Sequence, residues 1–99
     1  MPTALTSKSP DMQTIRLSES GPDLSGRGLG ETVRESVEPG VARVVFDCQD
    51  VESMSPSFAD EVFGKLAALP ERPHIQIVNA TPDIIALVRF AVQERNGAA

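Results

Sequence analysis

"ARVVFDCQDVESMSPSFADEVFGKL", residues 42–66, sets two periodicities back to back. The first half, with Val41 included, is apolar on both parities apart from Arg43, and β-branched valines dominate it. That pattern predicts a strand over 41–46, buried on both faces as strands of parallel sheets usually are. In the second half Phe58, Val62, Leu66 and Leu69 fall on one helical line, with Ala59, Phe63 and Ala67 beside it. An apolar stripe that wide belongs to a helix covering a sheet. Pro56 marks where this helix begins, since proline is favoured in the first turn.

The flanking sequence repeats the same alternation. Upstream, "MQTIRLS" (12–18) alternates weakly and reads as a strand near an edge. "ESGPDLSGRGLG" (19–30) then brings four glycines and a proline, a turn-rich connection. Leu29, Val33 and Val37 recur every four residues as the narrow stripe of a short helix, ended by Pro39-Gly40. Downstream, "IQIVN" (75–79) is a third strand. Thr81 as N-cap, Pro82 in the first helical position and Asp83 at the positive end open a last helix, with Ile84, Leu87, Val88 and Ala91 inward. Strand–helix alternation predicts a small α/β fold, with a mainly parallel or mixed sheet of three to four strands and helices packed on it. We place a flexible tail at 1–10, a single domain at 11–95 and a frayed end at 96–99.

Composition narrows the function classes. The chain has 99 residues, 40% of them hydrophobic, and a net charge of −5, which suits one modest core. Its basic residues are scattered and its four Phe are accompanied by no Trp or Tyr, so no nucleic-acid partner is expected. Cys48 is the only cysteine, which points to a reducing compartment. The longest apolar run, "IIALV" (84–88), is far too short to span a bilayer, and the first residues lack the apolar core of a secretion signal. A cytoplasmic protein without membrane contact is expected.

In a parallel sheet the loops after the strands gather at one edge, where ligands and partners bind. That edge collects Asp47, Cys48, Asp50 and the serines of 53–57 from the second strand, and Asn79 and Thr81 from the third. The single histidine, His74, falls at the other end of its strand, roughly 16 Å away. Ser57 therefore has no base, and no glycine-x-serine-x-glycine elbow surrounds it. Cys48 lacks the arginine of a phosphate loop, and one Cys with one His makes no zinc site. No catalytic residue, metal or cofactor is expected. Gly26, Gly28 and Gly30 in "SGRGLG" offer backbone amides to an anion, which makes small-ligand or nucleotide sensing the alternative function. Ser55 before Pro56 reads as an N-cap, while Ser57 with Asp60 resembles a capping box.

The stretch 42–66 also resembles the core of the STAS superfamily, named for sulfate transporters and anti-sigma-factor antagonists: a strand ending in Asp, a valine, a serine turn, then a helix. It is most similar to a bacterial STAS-like family of unassigned function whose helix opens with Ser-Phe-Ala-Asp-Glu, here Ser57 to Glu61. The likeness extends over roughly 12–92. It implies a STAS-like fold and a non-enzymatic regulatory module that binds a protein partner, a histidine-kinase-fold ATPase in the antagonists. The resemblance puts Ser57 at the phosphoacceptor and Asp47 at the strand-end aspartate, with Asp47, Asp50, Ser55, Ser57, Asp60 and Glu61 on the partner-binding edge. The chain departs from the antagonist pattern in two ways: Ser55-Pro56 replaces an acidic residue, and Phe58 replaces a small one. Phe58 either blocks the kinase's access or turns into the core.

Overall fold

A computed structural model describes residues 11–96; the tail expected at 1–10 and the last residues, 97–99, lie outside them. In chain order, β1 (Met12–Arg16) leads through a 3-10 turn (Leu17–Ser20) to β2 (Asp23–Leu24) and α1 (Arg27–Glu35). Then come β3 (Arg43–Asp47), β4 (Ser53–Met54), α2 over 56–67, β5 (His74–Val78) and α3 (Pro82–Asn96). Within α2, Pro56–Ala59 and Lys65–Ala67 are α-helical and the turn between them, Asp60–Gly64, is π-helical.

β1, β3 and β5 form a three-stranded sheet in that order, with both pairings parallel. Met12 sits beside Arg43 and Arg43 beside His74, so the three strands start level. β1 is an edge strand, as its weak alternation predicts, and among the described residues it pairs with β3 alone. It stops at Arg16 rather than Ser18, because Leu17 turns under the sheet and is fully buried. A second, two-stranded parallel sheet joins β2 to β4. These four residues lay within stretches read as turns.

One expectation is corrected: β3 is not buried on both faces. Val44 and Phe46 are fully buried, whereas Arg43 is exposed and Val45 and Asp47 are half-buried. The same parity holds across the sheet, with Gln13 and Ile15 beside Val44 and Phe46, and Ile75 and Ile77 beyond them. Helices cover that face alone among the described residues. Val45 hid the alternation, since a β-branched residue is favoured in a strand whichever way it points.

α2 is the central helix. From Phe58 to Ala67 only Asp60 and Lys65 are not buried. Phe63 meets Phe46 edge-to-face at 4.8 Å between ring centroids, fastening the helix to the middle strand. Phe58 is fully buried, so the ring expected either to obstruct the serine turn or to enter the core does the latter. Leu69, placed on the same line, lies past the helix end and is exposed. α1 also ends early, at Glu35, where the amides of Ser36 and Val37 bond back to Val33 and Arg34; Pro39-Gly40 lies beyond. α3 begins as expected: Thr81 Oγ1 accepts from the Ile84 amide at 3.3 Å, and Ile84, Val88 and Ala91 are buried.

Candidate functional site

The small β2–β4 ladder places two turns against each other. Pro22 O accepts from the amides of Glu52 and Ser53, and Leu24 O accepts from Ser55 N at 2.8 Å. The Ser53 hydroxyl adds a 2.8 Å bond to Asp23. The glycine turn and the serine turn, far apart in sequence, are therefore one site.

Ser55 is its hub. Its backbone is extended (φ −85°, ψ 155°), the conformation a following proline imposes and an N-cap requires. Its Oγ accepts from Phe58 N at 3.1 Å, capping α2, and from Gly26 N at 3.2 Å across the site. Ser57 Oγ stands 3.2 Å from the same oxygen. A serine oxygen has two lone pairs and one proton. Both lone pairs of Ser55 face backbone amides, so its proton goes to Ser57. The Ser57 hydroxyl thus accepts from Ser55 and, among the described residues, donates to none. It is half-buried in the first turn of α2 and has no capping role. The Ser57–Asp60 capping box does not form, because Asp60 is drawn to arginines instead.

Those arginines belong to an ion network on the π-helical turn. Asp60 accepts two bonds of 2.8 Å from Arg95 and one of 2.9 Å from Arg27. Glu61 accepts from Lys65 and Arg34, each at 3.1 Å, and from Arg27 at 3.4 Å. The Arg95 guanidinium first, then Arg27, holds the Asp60 carboxyl well below the usual carboxylate range. Lys65 first, then Arg34, lowers Glu61 against the opposing effect of its burial. Glu61, expected at the partner-facing edge, is only 4% exposed and stands as the buried centre of this network.

The three glycines serve different ends. Gly26 takes φ +90° and gives its amide to Ser55. Gly28 has open space about it. Gly30 lies inside α1, buried, with its amide bonded to Gly26 O, and a Cβ there would stand 2.8 Å from Glu61 Cβ. Of the three, Gly26 and Gly28 have open space about them and Gly30 is closed in.

At the strand ends, Asp47 Oδ1 accepts from Asn79 at 2.9 Å and from the Gln49 amide at 3.0 Å, and these bonds, the Asn79 one foremost, lower its carboxyl. Asp50 is exposed with φ 69°. Cys48 is 1% exposed, and burial, with Asp47 adding to it, pushes its thiol up to about 11. His74 opens β5 at the opposite edge of the sheet. No group of three or more His, Cys, Asp or Glu is placed to hold a metal ion among the described residues, and no helix there is long and apolar enough to cross a membrane.

Two residues of the site escaped the sequence reading. A groove of about 410 Å³ beside Ser57 is lined by Arg27 and Asp60 on one side and by Leu87, Phe90 and Glu94 of α3 on the other. Phe90 is 58% exposed, whereas the chain's other three phenylalanines are fully buried. Its signal was its absence from the 84-87-88-91 line. Arg27 carried no signal, standing as a spacer between glycines.

A family model described as a STAS-like domain of unknown function (DUF4325) matches residues 30–84. The match runs from within α1 into the first turn of α3 and takes in Ser55 and Ser57, while Arg27 and Phe90 fall outside it. No curated protein and no solved structure matches the chain.

Proposed function

This chain belongs to the STAS-like family of unknown function, and on that footing we propose that it is a non-enzymatic regulatory module of the cytoplasm. A protein partner docks on the edge carrying the serine turn, and phosphorylation of Ser57 governs the docking. The observation that carries this reading is the division of labour between the serines. Ser55 caps the helix and binds the glycine turn, so Ser57 is released from structural duty with its hydroxyl proton undirected. A hydroxyl in that state can give its proton to a base brought by a partner.

The partner proposed is a histidine-kinase-fold ATPase, as the likeness to anti-sigma-factor antagonists suggests. In the transfer, Ser57 Oγ bonds to the γ-phosphorus of the partner's nucleoside triphosphate. The bond from that phosphorus to the β,γ-bridging oxygen breaks, the hydroxyl proton leaves to the partner's base, and the diphosphate departs. The buried Phe58 ring leaves the approach open. The product carries nearly two added negative charges three residues from Asp60, which changes what the edge can bind. The exposed Phe90 at the rim supplies an aromatic anchor of the kind that dominates docking energetics. No specific feature favours nucleotide sensing by the glycine turn, whose Gly26 amide is engaged and whose Gly30 is buried.

The test is capture from cell lysate with wild-type protein and with Ser57→Glu as parallel baits. An ATPase retained by the wild type and lost by the variant, which then labels Ser57 when supplied with nucleoside triphosphate, is expected. Identical captures from both baits would overturn the switch.

A further inference from the structure

We propose that Arg27 is the cation that receives a phosphate on Ser57, moving to it from Asp60 and Glu61. The inference rests on the reading of Ser57 as a phosphoacceptor and identifies the residue that makes the modified state favourable.

Three observations carry it. The first is position. Arg27 and Ser57 line the same groove, and no other lysine or arginine among the described residues lines it. Arg34, Lys65 and Arg95 instead line a separate cavity, beside Pro39, Gly40 and Pro73. Two contacts of 3.2 Å lead from Ser57 Oγ through Ser55 Oγ to the amide of Gly26, so the residue preceding Arg27 is pinned beside the hydroxyl. Arg27 itself is long, and its side chain is 58% exposed.

The second is that Arg27 is the dispensable member of its network. Asp60 keeps a two-bond fork from Arg95, Nε to Oδ1 and Nη2 to Oδ2, when Arg27 leaves. Glu61 keeps Arg34 and Lys65, both at 3.1 Å, and loses only its longest contact, 3.4 Å. Removing the last partner of a buried carboxylate is strongly unfavourable; here neither carboxylate is stranded.

The third is charge. A phosphate at position 57 meets the acidic Asp60 and Glu94 in the same groove, and a cation must offset the repulsion. The planar guanidinium fork matches phosphate geometry in a way an ammonium does not. Arg27 then joins the first residue of α1 to the first turn of α2, and its transfer redistributes charge along the groove that Phe90 borders.

The experiment installs phosphoserine at position 57 during translation of the full chain and follows the phosphorus resonance against pH. The second ionisation of the phosphate is expected to fall roughly half a unit to one unit lower in wild type than in Arg27→Ala, because a bound cation favours the dianion. Lys65→Ala, which removes a cation of the same network outside the groove, is expected to titrate like wild type. The Arg27 Nε–H resonance should also move on phosphorylation, a readout that needs no variant to fold. Equal titrations in wild type and Arg27→Ala would overturn the proposal, as would an equal shift in Lys65→Ala, which would show a diffuse field. The titration involves no kinase and no partner, so its failure is distinct from failure of the docking reading, which the paired baits test.

Discussion

Replacing Gly30 with alanine should destabilise the protein, although alanine is the better helix former. The added Cβ would stand 2.8 Å from Glu61 Cβ, 3.0 Å from Glu61 Cγ and 3.3 Å from the Phe58 carbonyl oxygen. None of these is the yielding end of a side chain. Glu61 Cβ is fixed to a buried helix, and its carboxylate is held by Arg34 and Lys65. Overpacking of this kind costs about 1–3 kcal/mol, against which the helix-propensity gain is about 1 kcal/mol. A net loss of up to about 2 kcal/mol follows, or up to roughly 15 °C in Tm for a domain of this size. Gly28→Ala is the matched control, two residues away in the same helix with nothing within 4 Å of its Cβ. It should be neutral or stabilising by up to about 1 kcal/mol. Urea and thermal unfolding of both variants, followed by far-UV circular dichroism, supply the comparison. If Gly30→Ala proves as stable as Gly28→Ala, the close contact of α1 with α2 is wrong, and Gly30 is again open to an anion-binding role.

Ser55→Ala should cost about 1–2 kcal/mol in urea unfolding, since it removes the α2 cap and the acceptor of the Gly26 amide together, whereas Ser57→Ala should stay within about 0.5 kcal/mol of wild type. The opposite ranking would reassign the cap. Asp60 and Glu61 have carboxyls lowered in the fold, so the unfolded chain binds more protons; their stabilisation is full above the ordinary carboxylate range, near pH 4, declines below it and is lost as pH falls through the lowered values of the folded state. The stability gap between wild type and Arg95→Ala should accordingly shrink on going from neutral pH to about pH 3, and a constant gap would show that Arg95 acts through packing alone. Cys48, buried and with its thiol pushed up to about 11, should react with iodoacetamide in step with unfolding rather than at the rate of a free thiol. Prompt stoichiometric alkylation of the native protein would contradict its placement.

The sequence made the three long strands and the helix starts legible because each carries a local signal. Pro56 and Pro82 fix φ in the first turn, Ser55 and Thr81 cap, and apolar periodicity marks the buried faces. Helix ends were less legible: α1 stops short of the proline-glycine pair that seemed to end it. β2 and β4 had no signal at all, being two residues each and held by one another rather than by propensity. That ladder is what joins the glycine turn to the serine turn. Glu61 was the least readable residue. A glutamate in a helix reads as surface, and only the absence of a side chain at Gly30, one helix away, lets it sink among three cations. Ser55 and Ser57 were separable only once the partners of each hydroxyl were known.

The level start of the three strands has a kinetic consequence. Met12 pairs with Arg43 and Arg43 with His74, each thirty-one residues further on, and among the described residues no hairpin shortens either span. Neither ladder can therefore zip from a neighbouring turn; each must wait for a thirty-one-residue loop to close, and the entropy of closure is spent before any sheet bond is made. The local structure available early is helical, and α2, which meets α1, α3 and the middle strand, is the natural collection point. Until both loops have closed on it, the nascent strands present unpaired edges to other chains. The hazard for this protein during synthesis is thus intermolecular pairing of β1, β3 or β5, and substitutions that weaken α2 should raise aggregation in the cell more steeply than their effect on equilibrium stability suggests.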